Sequence, residues 1–177
     1  MGSARLFVCV WPDASATEAL HLLHRKDQPG VRFVPDENWH VTLRFLGQAE
    51  PRAVIEALTD VRVAPTEVHL GPVVDLLSDH SVIVPAGGLD EWATAVNRAT
   101  RGLGDAPIRK RFVGHVTLAR LSGRARRERK PPGVVCTPVS ARFTATEFTL
   151  VVSHLDPGGA RYDVLATFPA IPRTDAP

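Results

Sequence analysis

His40-Val41-Thr42-Leu43 and, 75 positions further on, His115-Val116-Thr117-Leu118 are the same four residues written twice. Alternation of side chains along a strand puts each His and its Thr on one face, with Val and Leu on the other. Each copy therefore reads as a strand that buries its aliphatics and presents an imidazole beside a hydroxyl. Two such strands facing one cavity supply a base, an acid and two hydroxyl donors. That is the equipment for opening a phosphodiester without a metal, with His40, Thr42, His115 and Thr117 as candidate catalytic residues. The plain alternative, two strands whose His and Thr face solvent, leaves the repetition unexplained.

Outward from the motifs, the chain alternates strand and helix patterns. Leu6–Val10 is an apolar run with the look of a buried strand, and Ser15-Ala16-Thr17-Glu18 fits a capping box ahead of Ala19, Leu20, Leu22 and Leu23. Val31–Val34 is a short strand, and Trp39–Leu46 is the first motif strand, closed by Gly47. Glu50-Pro51 opens a second helix with Pro in its first turn. Strand candidates at 67–70, 73–77 and 81–84 follow, the last two joined by a hairpin turn at Ser78-Asp79-His80, and Pro85–Gly88 punctuates. Asp90 is placed to cap a third helix that stops near Gly102 and Gly104. The second motif strand spans Phe112–Leu121, and strands near 140–142, 145–153 and 161–168 complete the chain, with a turn at Asp156-Pro157-Gly158-Gly159. This order argues for an α+β fold rather than a doubly wound parallel sheet. The repeated motif adds a reading as two similar lobes within one domain, residues 1–177, with 170–177 as a frayed tail.

Composition bounds the function classes. The chain has 177 residues, a 44% hydrophobic content and a net charge of +2, and no apolar run approaches the roughly 20 residues that span a bilayer. A cytoplasmic monomer with no membrane partner is expected. Cys9 and Cys136 have no metal spacing and read as buried thiols in a reducing compartment. Eighteen of the 21 basic residues are Arg, and five basic side chains crowd Arg124–Lys130. That cluster is either a solvated rim or an attractor of nucleic acid. No metal and no cofactor are expected. His21 and His24 lie three apart on a helix, but no carboxylate or Cys completes a ligand set. Nor is there a Gly-rich phosphate loop followed by Lys-Ser/Thr.

The substrate-facing candidates are Arg44, Arg120 and Phe7. Arg44 shares strand parity with His40 and Thr42, so a phosphate or RNA contact is direct. Arg120 falls on the opposite parity from His115, and reaches a cleft only if its strand bends or ends near Ala119. Phe7 either borders the cleft and stacks a base or is a plain core residue.

The stretches Arg5-Leu6-Phe7-Val8, Trp39–Gly47 (Trp-His-Val-Thr-Leu-Arg-Phe-Leu-Gly), His115–Arg120, Leu150–Leu155 and Tyr162–Leu165 together resemble the bacterial and archaeal RNA 2′,3′-cyclic phosphodiesterases. These are also called 2′-5′ RNA ligases, within the 2H phosphoesterase superfamily. The resemblance runs over nearly the whole chain. It departs at Gly114, where the family usually has Pro, and Gly is expected to loosen the entry to the second motif strand. The resemblance implies a bilobal fold with two antiparallel sheets flanking a central cleft and helices outside. It implies an arginine at position 120 in the site, His40 as proton donor and His115 as proton acceptor. The implied reaction is hydrolysis of an RNA 2′,3′-cyclic phosphate to a 2′-phosphomonoester, with reversible 2′-5′ ligation permitted. Two other readings stay open: a non-catalytic module that binds RNA or a nucleotide, and a phosphodiesterase for a small cyclic nucleotide.

Overall fold

In a computed structural model, residues 2–123, 132–156 and 159–171 are described. The Arg124–Lys130 cluster and most of the expected tail lie outside these residues. Strand β1 (Ala4–Val10) is buried from Leu6 to Val10, as a strand covered on both faces requires. Helix α1 (Ala14–His21) follows. Its cap is Asp13 rather than Ser15, because the Asp13 Oδ1 accepts from Ala16 N at 2.8 Å. Ala16, Leu20 and Leu23 face inward, whereas Leu22, expected in the apolar stripe, is 87% exposed.

Strand β2 (Val31–Phe33) and a 3₁₀ turn (Asp36–Asn38) lead into β3 (Val41–Ala49). Glu50 caps α2 (Pro51–Thr59) through both carboxylate oxygens, and Val54 and Leu58 form its buried stripe one turn apart. Strands β4 (Thr66–Leu70), β5 (Asp75–Leu77) and β6 (Ser81–Gly87) come next, the last running through Pro85 instead of stopping at Val84. Helix α3 (Asp90–Ala99) has Leu89 at its N-cap, with Asp90 and Glu91 in the first turn, where carboxylates favour the helix dipole. Strand β7 (His115–Leu121) is the second motif strand, and β8 (Ala141–Ala145), β9 (Glu147–Asp156) and β10 (Gly159–Pro169) close the chain.

All strand pairs are antiparallel, in the order β10-β9-β1-β3-β7-β6-β4-β8, with β2 also on β7 and β5 also on β6. The expected two sheets are thus the halves of one curled path, joined where β3 meets β7. That junction has one registered pair, Val41 with Val116. The helices cross over. The first, which follows β1, packs on β8 of the other half, and α3, which follows β6, packs on β3. Each half thereby covers its partner's core face and leaves the opposite faces to form a cleft. Among the described residues no helix is long and apolar enough to cross a membrane.

Candidate active site

The two motifs meet at the sheet junction. Val41 and Val116 are antiparallel Cα partners and both are fully buried. Continuing that register by one residue sets His40 across from Thr117, and Thr42 across from His115. All four side chains leave the sheet on the face opposite the valines. They line one cleft of about 1290 Å³. A local two-fold axis through the valine pair relates the two motifs.

Each imidazole is anchored in the same way. The His40 Nδ1 lies 2.7 Å from the Asn38 carbonyl oxygen, and the His115 Nδ1 lies 2.8 Å from that of Val113. A carbonyl only accepts, so Nδ1–H is the donor in both rings. That fixes the tautomer and leaves each Nε2 as the atom to take or give a proton.

The surroundings break the symmetry. The Phe7 ring stacks on His40 at 4.8 Å, and Trp11 and Tyr162 meet it edge-on at 5.5 and 5.4 Å. Trp11 is held by donating from Nε1 to the Thr149 Oγ1 at 2.8 Å. Among the described residues His115 has no such ring partner. Burial behind these rings pushes His40 down to about 4; the Asn38 carbonyl opposes this, and the charges of His115 and Arg120 add to it. His115 is also held below its ordinary value by burial, with Arg120 and Arg109 adding to the effect.

Strand bulges decide where the arginines go. Along β1 and β3 the partners run Val8 with Arg44 and then Cys9 with Thr42, so Leu43 is an extra residue. The surplus reverses the alternation. Arg44 therefore shares the face of Val8, in the core, and Phe45 takes the cleft face opposite Phe7. The expected parity of Arg44 with Thr42 does not hold. The residue is 5% exposed, and its guanidinium ties β3 to the α3 region, donating to Asn97 Oδ1 at 3.3 Å and Leu103 O at 3.2 Å. It is also among the residues that line the cleft.

The same device acts on β7. Val82 pairs with Ala119 and Ile83 with Thr117, so Leu118 is extra. Arg120 is returned to the face of His115 and Thr117, where its charge is felt by both histidines and Tyr162. Its Nη1 donates to the Ser81 Oγ at 2.8 Å. The bend on which Arg120 depended is thus present, one residue before Ala119. Phe7 is 4% exposed, as a core residue would be, and also borders the cleft, where its ring stacks on His40.

Gly114 packs tightly rather than loosely. Its carbonyl accepts from Ala86 N at 2.9 Å, and a Cβ there would collide with the Ala86 carbonyl oxygen. Asn38, Trp11, Tyr162 and Phe45 were not among the expected site residues. Asn38 donates from Nδ2 to Ala160 O at 2.9 Å, fastening the strand that carries Tyr162 to the anchor of His40. Phe45 and Tyr162 lie in stretches that carry the family resemblance, which was the signal available for them, whereas no local pattern marks Asn38 or Trp11. His21 pairs with Asp36 at 2.9 Å, steadying the same 3₁₀ turn. Among the described residues no three His, Cys, Asp or Glu side chains converge. Cys9 is buried and pushed up to about 12 by desolvation, whereas Cys136, expected buried, is exposed.

Comparison with known proteins bears on this geometry. Residues 10–74 match the family model described as LigT like phosphoesterase, a stretch that includes the first motif and ends before the second. A Thermus thermophilus protein of known structure superposes with a TM-score of 0.79 at 25% identity, over 96% of this chain and all of that one. The chain has the LigT-like phosphoesterase fold. Escherichia coli LigT, crystallised with 3′-AMP, superposes on this LigT-like chain with a TM-score of 0.74 at 24% identity, over 95% of this chain and 98% of that one. An Aeropyrum pernix protein named RNA 2′,3′-cyclic phosphodiesterase is 34% identical over 103 residues, 52% of this LigT-like chain. The match spans 58% of that relative's length.

Proposed function

We propose that this protein hydrolyses an RNA 2′,3′-cyclic phosphate to a 2′-phosphomonoester, using His40 and His115 and no metal. One observation carries the reading: two imidazoles with the same fixed tautomer are related by a local two-fold axis across one cleft. An in-line displacement needs its base and its acid on opposite sides of phosphorus, and that symmetry supplies them.

The neutral His115 Nε2 takes a proton from water as the water oxygen bonds to phosphorus. The bond from phosphorus to O3′ breaks, and the charged His40 Nε2 protonates that oxygen as it leaves. Thr42 and Thr117 donate hydroxyl hydrogens to the non-bridging oxygens, where charge must be held. Each proton transfer is worth roughly 10²–10⁴ in rate. Arg120 adds a fixed positive charge beside the phosphate, and Phe7 holds the His40 ring in place. Arg44 acts as a strut between β3 and the α3 region. A donor whose pKa lies near 4 surrenders its proton readily, and the arriving phosphate anion stabilises the charged ring. With an RNA 5′-hydroxyl in place of water, the same machinery can join ends: the bond from O5′ to phosphorus forms as the bond to O3′ of the cyclic phosphate breaks, leaving a 2′-5′ linkage. The molecule works as a cytoplasmic monomer with both halves in one domain.

The test is a labelled RNA with a 2′,3′-cyclic end, its products resolved as 2′- or 3′-phosphate, with and without EDTA. A 2′-phosphate formed at the same rate in chelator is the expected result. A 3′-phosphate, or activity lost to EDTA and restored by a divalent ion, would overturn the scheme. Binding of the same RNA without single-turnover cleavage would make the protein a binding module instead.

A further inference from the structure

We propose that the strap of residues 107–112 is a subsite for the phosphate carried on O5′ of the terminal nucleotide, with Arg109 and Arg111 holding it; this rests on the phosphodiesterase reading above. The substrate it selects is an RNA end joined to a chain, over a lone nucleoside cyclic phosphate. Strands β3 and β7 share one registered pair and part beyond it, and the strap crosses that gap from one half of the molecule to the other. Both of its ends are tied down. Beside β3, Asp105 Oδ1 accepts from Gln48 N at 2.8 Å, and Ala106 N donates to Leu46 O at 3.0 Å. At the far end Ala86 N donates to Gly114 O at 2.9 Å, just before His115. Between these ties, among the described residues, no backbone–backbone hydrogen bond holds residues 107–112.

Side chains alternate along the strap. Pro107, Arg109 and Arg111 line the cleft, whereas Ile108 and Lys110 do not. Both arginines are exposed, and among the described residues neither has a hydrogen bond or an ion pair. By contrast, the exposed Arg52 and Arg161 are paired with Glu56 and Asp163. The one carboxylate among the described cleft residues, Glu37, stands in the turn before β3, whereas the strap lies against that strand's far half. Two planar forks with no acceptor of their own, facing a cleft, suit the oxygens of a phosphate. The reacting phosphate is not that ligand, because the imidazoles and threonine hydroxyls already surround it. The Arg109 charge acts on His115, so the strap lies close to the reacting centre yet outside it. Along an RNA, the next anion from a 2′,3′-cyclic phosphate is the phosphate on O5′ of the same ribose. A nucleoside 2′,3′-cyclic phosphate lacks that group and leaves both forks unfilled.

The experiment compares cytidine 2′,3′-cyclic phosphate with its 5′-phosphorylated form in wild type, R109Q, R111Q and K110Q. In wild type the 5′-phosphate should raise kcat/KM about tenfold, mainly through KM, the low end for a hydrogen bond to a charged group. That gain should shrink as salt is raised. R109Q and R111Q should each bring the ratio of the two substrates towards one. K110Q removes the same charge from the same strap but not from the cleft, and should keep the ratio. No gain in wild type, a ratio unchanged in both arginine variants, or an equal loss in K110Q would overturn the proposal. If wild type turns over neither substrate, the catalytic reading has failed, and calorimetric titration decides the subsite by itself. Wild type should then bind adenosine 2′,5′-bisphosphate about tenfold more tightly than adenosine 2′-phosphate; equal affinities would overturn the proposal.

Discussion

Val41 and Val116 face each other at the one registered pair that joins the two halves of the sheet. Because the pairing is antiparallel, it turns a repeat along the chain into a two-fold relation in space, and each His comes to sit across from the Thr of the other motif. Two buried aliphatics thus set the geometry of four polar groups. This follows from the period-two pleat, which forces the polar face to register once the apolar face has paired.

Replacing either His by Ala should lower kcat by at least ~10²-fold, with the secondary structure unchanged by circular dichroism, because both rings stand on a cleft face. Thr117→Val should cost ~10²-fold in kcat with a smaller change in KM, since its hydroxyl acts on charge that develops during the displacement. Near-normal turnover in His40→Ala and His115→Ala would remove the two-histidine scheme.

The pH dependence has a definite sign. The proposed scheme requires one charged and one neutral imidazole, and both rings are held below their ordinary value, His40 at about 4. In free protein that state is most populated on the acid side of about pH 6.5, so kcat/KM should peak there and fall as pH rises. For kcat, both limbs should move upward, because bound phosphate favours the charged rings. A kcat/KM flat across neutral and alkaline pH would contradict this assignment.

The same depression affects stability. Above about pH 6.5 the rings are neutral in folded and unfolded chains and contribute nothing. As pH falls towards 4, the unfolded chain binds protons that folded His40 refuses, so stability is lost. Thermal melts of His40→Gln should show a shallower loss than wild type between those limits; parallel curves would count against a desolvated ring.

Arg44 and Arg120 should separate cleanly. Arg44→Met leaves the acceptors on Asn97 and Leu103 unpaired, and should cost about 1–3 kcal/mol of stability with kcat/KM changed only a few-fold. Arg120→Met should leave the melting temperature nearly unchanged and lower kcat/KM by ~10²-fold. The opposite pattern would mean that the bulges do not orient the arginines as described.

Gly114→Ala drives a methyl group towards the Ala86 carbonyl, where β6 approaches β7. About 1–3 kcal/mol should be lost, as for other overpacked sites. The shift should also reach Val113, whose carbonyl anchors His115, so kcat should drop even where the variant remains folded. Wild-type kcat in a stably folded variant would show that the close approach is dispensable.

Whatever a single strand can encode was legible in the order of residues. Two His-x-Thr segments in strand patterns were enough to locate the cleft face that carries both histidines, and Leu6–Val10, Glu50-Pro51 and the Ser78–His80 turn marked their elements because those signals are local. Which arginine looks into the cleft was settled only by folding. A bulge is a surplus of one residue against a partner strand, so Leu43 and Leu118 become extra only when paired with β1 and β6. The rings around His40 are of the same kind, since Phe7, Trp11 and Tyr162 come from segments far apart in the chain. Alternation is a property of a segment, and register is a property of a pair; no reading of one segment contains it.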